Sequence, residues 1–217
     1  MSTRGESGPE SGSPVPGEQY NAGPATAPRQ AATVILLRGG AAHLEVLLVR
    51  RTPKARFMGG VWVFPGGAVD DEEGVGDTAH RTAALRELRE EAAIALEDPD
   101  ALVKFSRWIT PAAVQIRFDT HFFLAPLPAG AEPVVDGYEV VDARWYEPAE
   151  ALRAGAEGEL LLVFPTIKHL EQLSVFPTAD ELLDYARNRE IQPVEPRVVM
   201  SGEQARVLLP GEAGYDE

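Results

Sequence analysis

The segment Arg86-Glu87-Leu88-Arg89-Glu90-Glu91 decides more about this protein than any other stretch of its sequence. Residues 82–96 around it are mostly Ala, Leu, Arg and Glu, which are good helix formers, and their apolar members recur at helical spacing. We therefore predict a helix over residues 82–96. The Asp98-Pro99 pair should end it, because the residue before a proline avoids helical geometry.

Three glutamates of this segment share one face of the predicted helix. Glu87, Glu90 and Glu91 stand at positions i, i+3 and i+4, and three like charges so close together repel one another. A hard divalent cation such as Mg²⁺ would relieve that repulsion, because it prefers oxygen ligands. Arg86 could hold a neighbouring carboxylate by a charge-assisted hydrogen bond. The alternative interpretation is a solvated helix face that carries an Arg86–Glu90 ion pair.

A glycine pair precedes Arg86, and its second glycine, Gly67, lies nineteen residues before that arginine. Residues 61–64 (VWVF) are typical of a buried strand, and Pro65-Gly66-Gly67 interrupts it. Glycine permits positive φ and a close approach of the backbone to a ligand. A backbone carbonyl here could join a metal shell. An ordinary tight turn is the alternative.

Together these residues resemble the Nudix hydrolase family, whose sequence box is a glycine, a spaced glutamate, and Arg-Glu-apolar-x-Glu-Glu-x-Gly. The matching residues are Gly67, Arg86, Glu87, Leu88, Glu90 and Glu91. Three departures from the box are evident. Five additional residues separate Gly67 from Arg86, Thr78 stands where the first glutamate would fall, and Ala93 replaces the last glycine. We expect the acidic insert, within residues 70–77, to bulge outward.

The resemblance implies an α/β protein, the Nudix α/β/α sandwich with a mixed β-sheet between helices. It also implies hydrolysis of a diphosphate linkage with Mg²⁺ or Mn²⁺ as the cofactor. The implied metal ligands are Glu87, Glu90, Glu91 and the carbonyl of Gly67. Glu87, Glu90 and Arg86 are the implied catalytic residues. For each glutamate of the box, the role of general base is the alternative to that of metal ligand.

Arginines lie just upstream of the glycine pair. Arg50, Arg51 and Arg56 belong to the main basic cluster of the chain and are candidate substrate-binding residues, since arginine grips phosphates bidentately. A solvated loop is the alternative for this cluster. Glu139 precedes the predicted strand 140–146 and is a candidate additional carboxylate, with a solvated loop glutamate as the alternative.

A second pattern concerns the substrate. Residues 47–52, followed by Arg56, Gly60 and residues 64–67, resemble a pattern of coenzyme A diphosphatases within the family. Segments further along, at 108–111, 117–123 and 165–173, resemble bacterial relatives of the mammalian Nudix motif 19 enzyme. This favours coenzyme A or acyl-CoA as the substrate. Alternatives are another nucleotide (a sugar nucleotide, dinucleotide or dinucleoside polyphosphate) and a non-catalytic module that senses a nucleotide; the intact glutamates argue against the sensor.

The amino-acid composition argues against some classes of binding partner. The formal net charge of −14 over 217 residues argues against nucleic acid and anionic membranes, which attract basic surfaces. No apolar run of 18 residues, no secretory signal and no cysteine occur, so we expect a cytoplasmic protein with a small-molecule nucleotide substrate. The resemblance adds a homodimer as an expectation, since Nudix relatives are often dimers.

The predicted organisation is a disordered tail (1–30), one Nudix domain with C-terminal helices and a hairpin (31–210), and a short tail (211–217). Strands are predicted at 33–37, 44–50, 61–64, 102–109, 121–125 and 140–146, helices at 148–154, 166–173 and 178–188, and a hairpin at 197–209. Thr178 is the expected N-cap of the last helix.

Overall fold

The computed structural model describes residues 20–21, 23–201 and 204–216. Most of the tail predicted to be disordered, residues 1–19 and 22, lies outside the described residues. Its described end is attached to the domain, because Tyr20 bridges to Val114 and the Asn21 amide donates to the Ala113 carbonyl at 2.7 Å. The first strand begins at Arg29, inside the segment predicted as tail.

A mixed sheet forms the centre of the described part of the chain. Its eight strands are β1 (Arg29–Arg38), β2 (Glu45–Arg51), β3 (Trp62–Val63), β4 (Gly66–Ala68), β5 (Val103–Ile109), β6 (Phe118–Pro126), β7 (Val140–Tyr146) and β8 (Pro193–Val194). The order is β3-β2-β1-β6-β5-β8, with β4 on β1 and β7 on β2. β1 and β6 are parallel, as are β5 and β8, and the other pairs are antiparallel.

Helices cover both faces of this sheet. They are α1 (Gly76–Ala92), α2 (Pro148–Ala156), α3 (Phe164–Leu173) and α4 (Ala179–Arg187). Because strand side chains alternate between faces, Val34 and Leu36 pack on the α1 side, whereas Ile35 and Leu37 pack against α2, α3 and α4. The predicted α/β/α sandwich with a mixed sheet is confirmed. No helix of the described residues has the length and apolar character to cross a membrane.

A separate hairpin follows the sandwich. β9 (Arg197–Ser201) and β10 (Gln204–Leu208) pair antiparallel, as the sequence predicts, and residues 202–203 at their turn lie outside the described residues. The N-cap of α4 is also as predicted, since the Thr178 hydroxyl oxygen accepts a hydrogen bond from the Glu181 amide at 3.2 Å.

The boundaries of α1 differ from the prediction. The helix begins at Gly76 and ends at Ala92, so the stop predicted at Asp98-Pro99 is wrong. Ala93 ends it instead, in the left-handed conformation with φ 55°, and its amide donates to the Arg89 carbonyl at 3.0 Å. A left-handed residue at this position closes a helix before any downstream proline can act.

The glycine pair is a strand rather than a simple turn, and it marks a split in the sheet. Gly66 and Gly67 pair with the first half of β1, while β2 pairs with the second half at Leu37 and Arg38 and then continues along β7. β2 thus separates from β1 after a short pairing, and β4 occupies its place beside the first half of β1. The split places the glycine pair near the end of β2, where Arg51 lies.

Candidate active site

Arg86 of α1 is the hub of the site. Its Nη1 donates to Glu87 Oε1 at 2.7 Å and to Glu90 Oε2 at 3.2 Å, and its Nε donates to Glu73 Oε1 at 3.0 Å. Nη2 donates to the Ala68 carbonyl at 2.9 Å, which ties α1 to β4. These bonds, that to Glu73 above all, raise the arginine pKa above its ordinary value. Arg86 therefore stays charged and orients three carboxylates.

Glu73 is a site residue that sequence analysis missed. The insert that contains it was predicted to bulge outward, and this prediction is wrong. A single 3₁₀ turn at Asp71–Glu73 folds the insert back, leaving the Glu73 side chain 9% exposed against Arg86. The signal was present in the sequence, because a guanidinium has five donors and the insert is acidic.

Glu91 is the most buried carboxylate of the site, with its side chain 4% exposed. The Gly66 amide donates to its Oε2 at 3.0 Å, and Arg51 Nη1 lies 3.8 Å from its Oε1. The pKa of Glu91 is raised to about 7, chiefly by burial. The nearby charges of Glu87 and Glu139 contribute to the rise, and the Gly66 amide and Arg51 oppose it. A cation at this carboxylate would favour its ionised form.

Glu87 lies directly against the glycine pair. A Cβ atom placed on Gly67 would come within 2.2 Å of Glu87 Oε1, so only glycine leaves room for this carboxylate. Gly67 is thus required for close approach rather than for a positive φ. Burial raises the pKa of Glu87, whereas the hydrogen bond from Arg86 lowers it.

Two further carboxylates lie at the margin of the site. The Glu90 side chain is 59% exposed beside Arg86. Glu139 is exposed in the loop before β7, yet its charge contributes to the raised pKa of both Glu87 and Glu91. Its carbonyl accepts a hydrogen bond from the Thr52 amide at 2.8 Å, which fixes this loop beside the end of β2. Glu139 is therefore a solvated loop glutamate that also remains a candidate additional carboxylate of the site.

The candidate substrate-binding arginines are placed differently from one another. Arg51 reaches the site, and its Nε is buried with no hydrogen-bond partner among the described residues. Arg50 is half-buried and Arg56 is exposed, and neither has an ion-pair partner in the described part of the chain. A buried, unpaired Nε is costly, and an anionic ligand is one way to satisfy it.

The donor set fits a hard divalent cation. No three Asp, Glu or His side chains of the described residues stand ready around one point. This follows from the bonds above, because Arg86 draws Glu87 and Glu90 to itself. The available donors are nevertheless all oxygens. They include the carboxylates of the buried Glu91 and the half-buried Glu87, whose pKa values are raised by burial and by neighbouring negative charges. Such a cluster is what Mg²⁺ or Mn²⁺ stabilises.

Comparison with known sequences places this arrangement in context. The sequence model described as the NUDIX domain matches residues 27–163, well over half of the chain. A Caenorhabditis elegans protein provisionally named nudix hydrolase 7 is 29% identical over 182 residues, covering 67% of this chain and 60% of that protein. The acyl-coenzyme A diphosphatase NUDT19 of Xenopus laevis is 31% identical over 124 residues, covering 54% of this chain and 33% of that protein. The chain spans less than two thirds of either relative.

Solved structures agree with the fold. A NUDIX hydrolase from Alicyclobacillus acidocaldarius superposes with a TM-score of 0.66 at 29% identity, covering 73% of this chain and 96% of that one. The NUDIX domain of Shewanella oneidensis NrtR, solved with ADP ribose, superposes with a TM-score of 0.52 at 20% identity, covering 68% and 86%. The second likeness concerns the fold alone.

Proposed function

The chain belongs to the NUDIX domain family, and from this premise we propose that it hydrolyses the diphosphate linkage of a nucleoside diphosphate derivative. The observation that carries the proposal is the packing of two carboxylates, the buried Glu91 and the half-buried Glu87, against the glycine pair of β4. Burying like charges together is expensive without a cation. A purely structural helix would gain nothing from this arrangement.

Glu87, Glu90, Glu91 and the Gly67 carbonyl would hold Mg²⁺ or Mn²⁺ in this proposal. The metal would neutralise charge on the phosphate oxygens and make a bound water acidic enough to attack at neutral pH. Arg86 would position these ligands, because it donates hydrogen bonds to the carboxylates of Glu87 and Glu90.

A carboxylate must accept the proton of the attacking water. Glu90 is the first candidate, with this role as the alternative to its role as a metal ligand, because its side chain is 59% exposed and within reach of water and substrate. Glu139 is the second candidate, because it is exposed in the loop before β7 and its charge acts on Glu87 and Glu91. General-base catalysis contributes about a hundredfold or more to such reactions, so the two candidates can be separated by the corresponding Gln variants.

Coenzyme A or an acyl-CoA is the substrate that we propose. Support comes from the similarity to an acyl-coenzyme A diphosphatase and from the pattern over residues 47–67. Arg51, with its unpaired Nε, would bind a phosphate oxygen, and Arg50 and Arg56 are the further candidates for this role. The partner is thus a small nucleotide rather than a nucleic acid, and we further propose a cytoplasmic homodimer.

The test is incubation of the purified protein with coenzyme A and Mg²⁺, with the products identified by mass. We expect 3′,5′-ADP and 4′-phosphopantetheine, and no products after chelation of the metal. Metal-dependent cleavage of another nucleotide, with coenzyme A left intact, would contradict the proposed substrate but not the proposed reaction. Tight nucleotide binding without cleavage, across a panel of nucleotides, would contradict the proposed reaction and favour a nucleotide sensor.

A further inference from the structure

An apolar cavity lies on the face of the sheet that α3 covers, opposite α1. Its volume is about 170 Å³, and its walls include Phe57, Met58, Trp108, Phe118, Val198 and Val207. We call it the hairpin cavity, because Val198 of β9 and its cross-strand partner Val207 of β10 close one side. These two valines lie outside the NUDIX match over residues 27–163, so the cavity depends on a part of the chain beyond the matched domain.

Two features of the walls point to a ligand. The Trp108 residue is 5% exposed, and its indole Nε1 is a buried donor with no partner among the described residues. A buried donor without an acceptor is costly, so a wall that serves packing alone is not expected to contain one. Met58 has φ 54°, a conformation that non-glycine residues seldom adopt and that is common at ligand-binding sites.

The hairpin cavity is close to the proposed diphosphate site. In the strand register, Ala68 pairs with Ala31, which pairs with Thr120 in the cavity wall. Two strand spacings amount to about 10 Å. β4 pairs with no described strand except β1, so these two strands are the part of the sheet that separates the two places.

The loop over residues 52–60 joins the same two places. It leaves β2 at Arg51, whose amide donates to the Val61 carbonyl and so closes the loop at 3.0 Å. Phe57 at its middle lies 6.3 Å from the Phe118 ring, between ring centroids, and forms part of the cavity wall. One short segment thus connects the arginines of the phosphate entrance with an apolar pocket.

We propose that the hairpin cavity binds the aliphatic acyl group of the substrate, with Trp108 in its wall contacting the chain. This inference rests on the proposed hydrolysis of coenzyme A compounds. An apolar cavity of about 150 Å³ holds one benzene molecule, so the hairpin cavity has room for a chain of about six carbons. Each methylene should strengthen binding about fourfold up to that length.

Binding can be tested without turnover. Tryptophan fluorescence is titrated with 6-bromohexanoyl-coenzyme A in EDTA, because bromine quenches an indole that it contacts. We expect saturable quenching that disappears in Trp108→Phe, which keeps an aromatic ring and leaves Trp62 and Trp145 as reporters. Quenching that survives in Trp108→Phe would place the chain elsewhere and overturn the proposal. Quenching by free 6-bromohexanoate but not by the thioester would overturn the assignment to the substrate.

Selectivity provides the second test. Val198→Phe should fill the hairpin cavity and lower kcat/KM for hexanoyl-coenzyme A at least tenfold relative to that for coenzyme A. Val175→Phe is the matched control, because Val175 is 74% exposed away from the cavity, and it should leave the ratio unchanged. An unchanged ratio in Val198→Phe would overturn the proposal. If no coenzyme A compound is cleaved but Trp108 is still quenched, the proposed function fails while the cavity assignment stands.

Discussion

Substituting Gly67 by alanine should abolish most activity while leaving the fold intact. The new Cβ would lie 2.2 Å from Glu87 Oε1 and 2.5 Å from its Cδ, whereas ordinary contact begins at 3.4 Å. The carboxylate must therefore move by about 1.2 Å, and this movement disturbs its 2.7 Å hydrogen bond with Arg86. A misplacement of about 1 Å at a reacting site can cost about a hundredfold in rate.

The effect on stability should be small, because the clash involves the end of a flexible side chain. We expect the free energy of unfolding to change by no more than about 1 kcal/mol. Gly66→Ala provides the contrast, since its Cβ would lie 2.5 Å from the Ala32 carbonyl oxygen and would break the pairing of β4 with β1. That variant should lose stability as well as activity. Gly23→Ala, with its nearest contact at 3.7 Å, is the neutral control.

The assay combines metal-dependent hydrolysis with denaturant unfolding of the same preparations. A Gly67→Ala protein that is folded and keeps kcat/KM within about threefold of the parent would refute the reasoning, because Glu87 would then tolerate displacement. Loss of the fold in Gly67→Ala would refute it differently, since the clash would then involve more than a movable carboxylate.

Three other predictions concern separate parts of the domain. Glu90→Gln or Glu91→Gln should lower turnover at least about a hundredfold, whereas Glu72→Gln, the same change at an exposed neighbouring position, should not; near-normal activity in both site variants would contradict the assignment. Ala93→Gly should stabilise the protein by about 0.5–1 kcal/mol in denaturant unfolding, because glycine adopts the left-handed φ without strain. Burial lowers the pKa of His169 to about 4, below its ordinary 6.5, so between these two values the unfolded chain binds the proton and the folded chain does not. The free energy of unfolding should therefore decrease as the pH is lowered from about 6.5 to about 4, by at most about 1.4 kcal/mol per pH unit. Unfolding curves of the parent and of His169→Asn between pH 7 and 4 would show the difference in slope.

The fold was predictable where the pattern is local. A continuous apolar run predicts β1 and an alternating pattern predicts β7, and the N-cap at Thr178 depends on one side chain and one amide. The strand at Gly66 was not predictable, because nothing in a Pro-Gly-Gly sequence favours pairing. It forms through tertiary contact, with the Gly66 amide held by Glu91 from a helix 25 residues away.

The site was predictable as a set of residue types but not as a set of contacts. Glutamates at helical spacing predict a shared face, and Arg86 does bond both Glu87 and Glu90. The approach of Arg51 to Glu91 and of Glu139 to the buried carboxylates depends on how β2 diverges from β4. A register of that kind follows from the whole sheet and cannot be read from any single segment.

The insert before α1 and the missing glutamate of the box have a common physical explanation. Arg86 presents five donors in a rigid fork, and a donor left unpaired in this half-buried position would be costly. With threonine at position 78, a carboxylate must come from elsewhere, and the insert supplies Glu73 to both Nε and Nη2. The same glutamate accepts the Asp70 amide at 2.7 Å, so it also closes its own turn. The additional residues therefore preserve the charge balance around Arg86, which leaves Glu87 oriented at the glycine pair despite a box of unusual length.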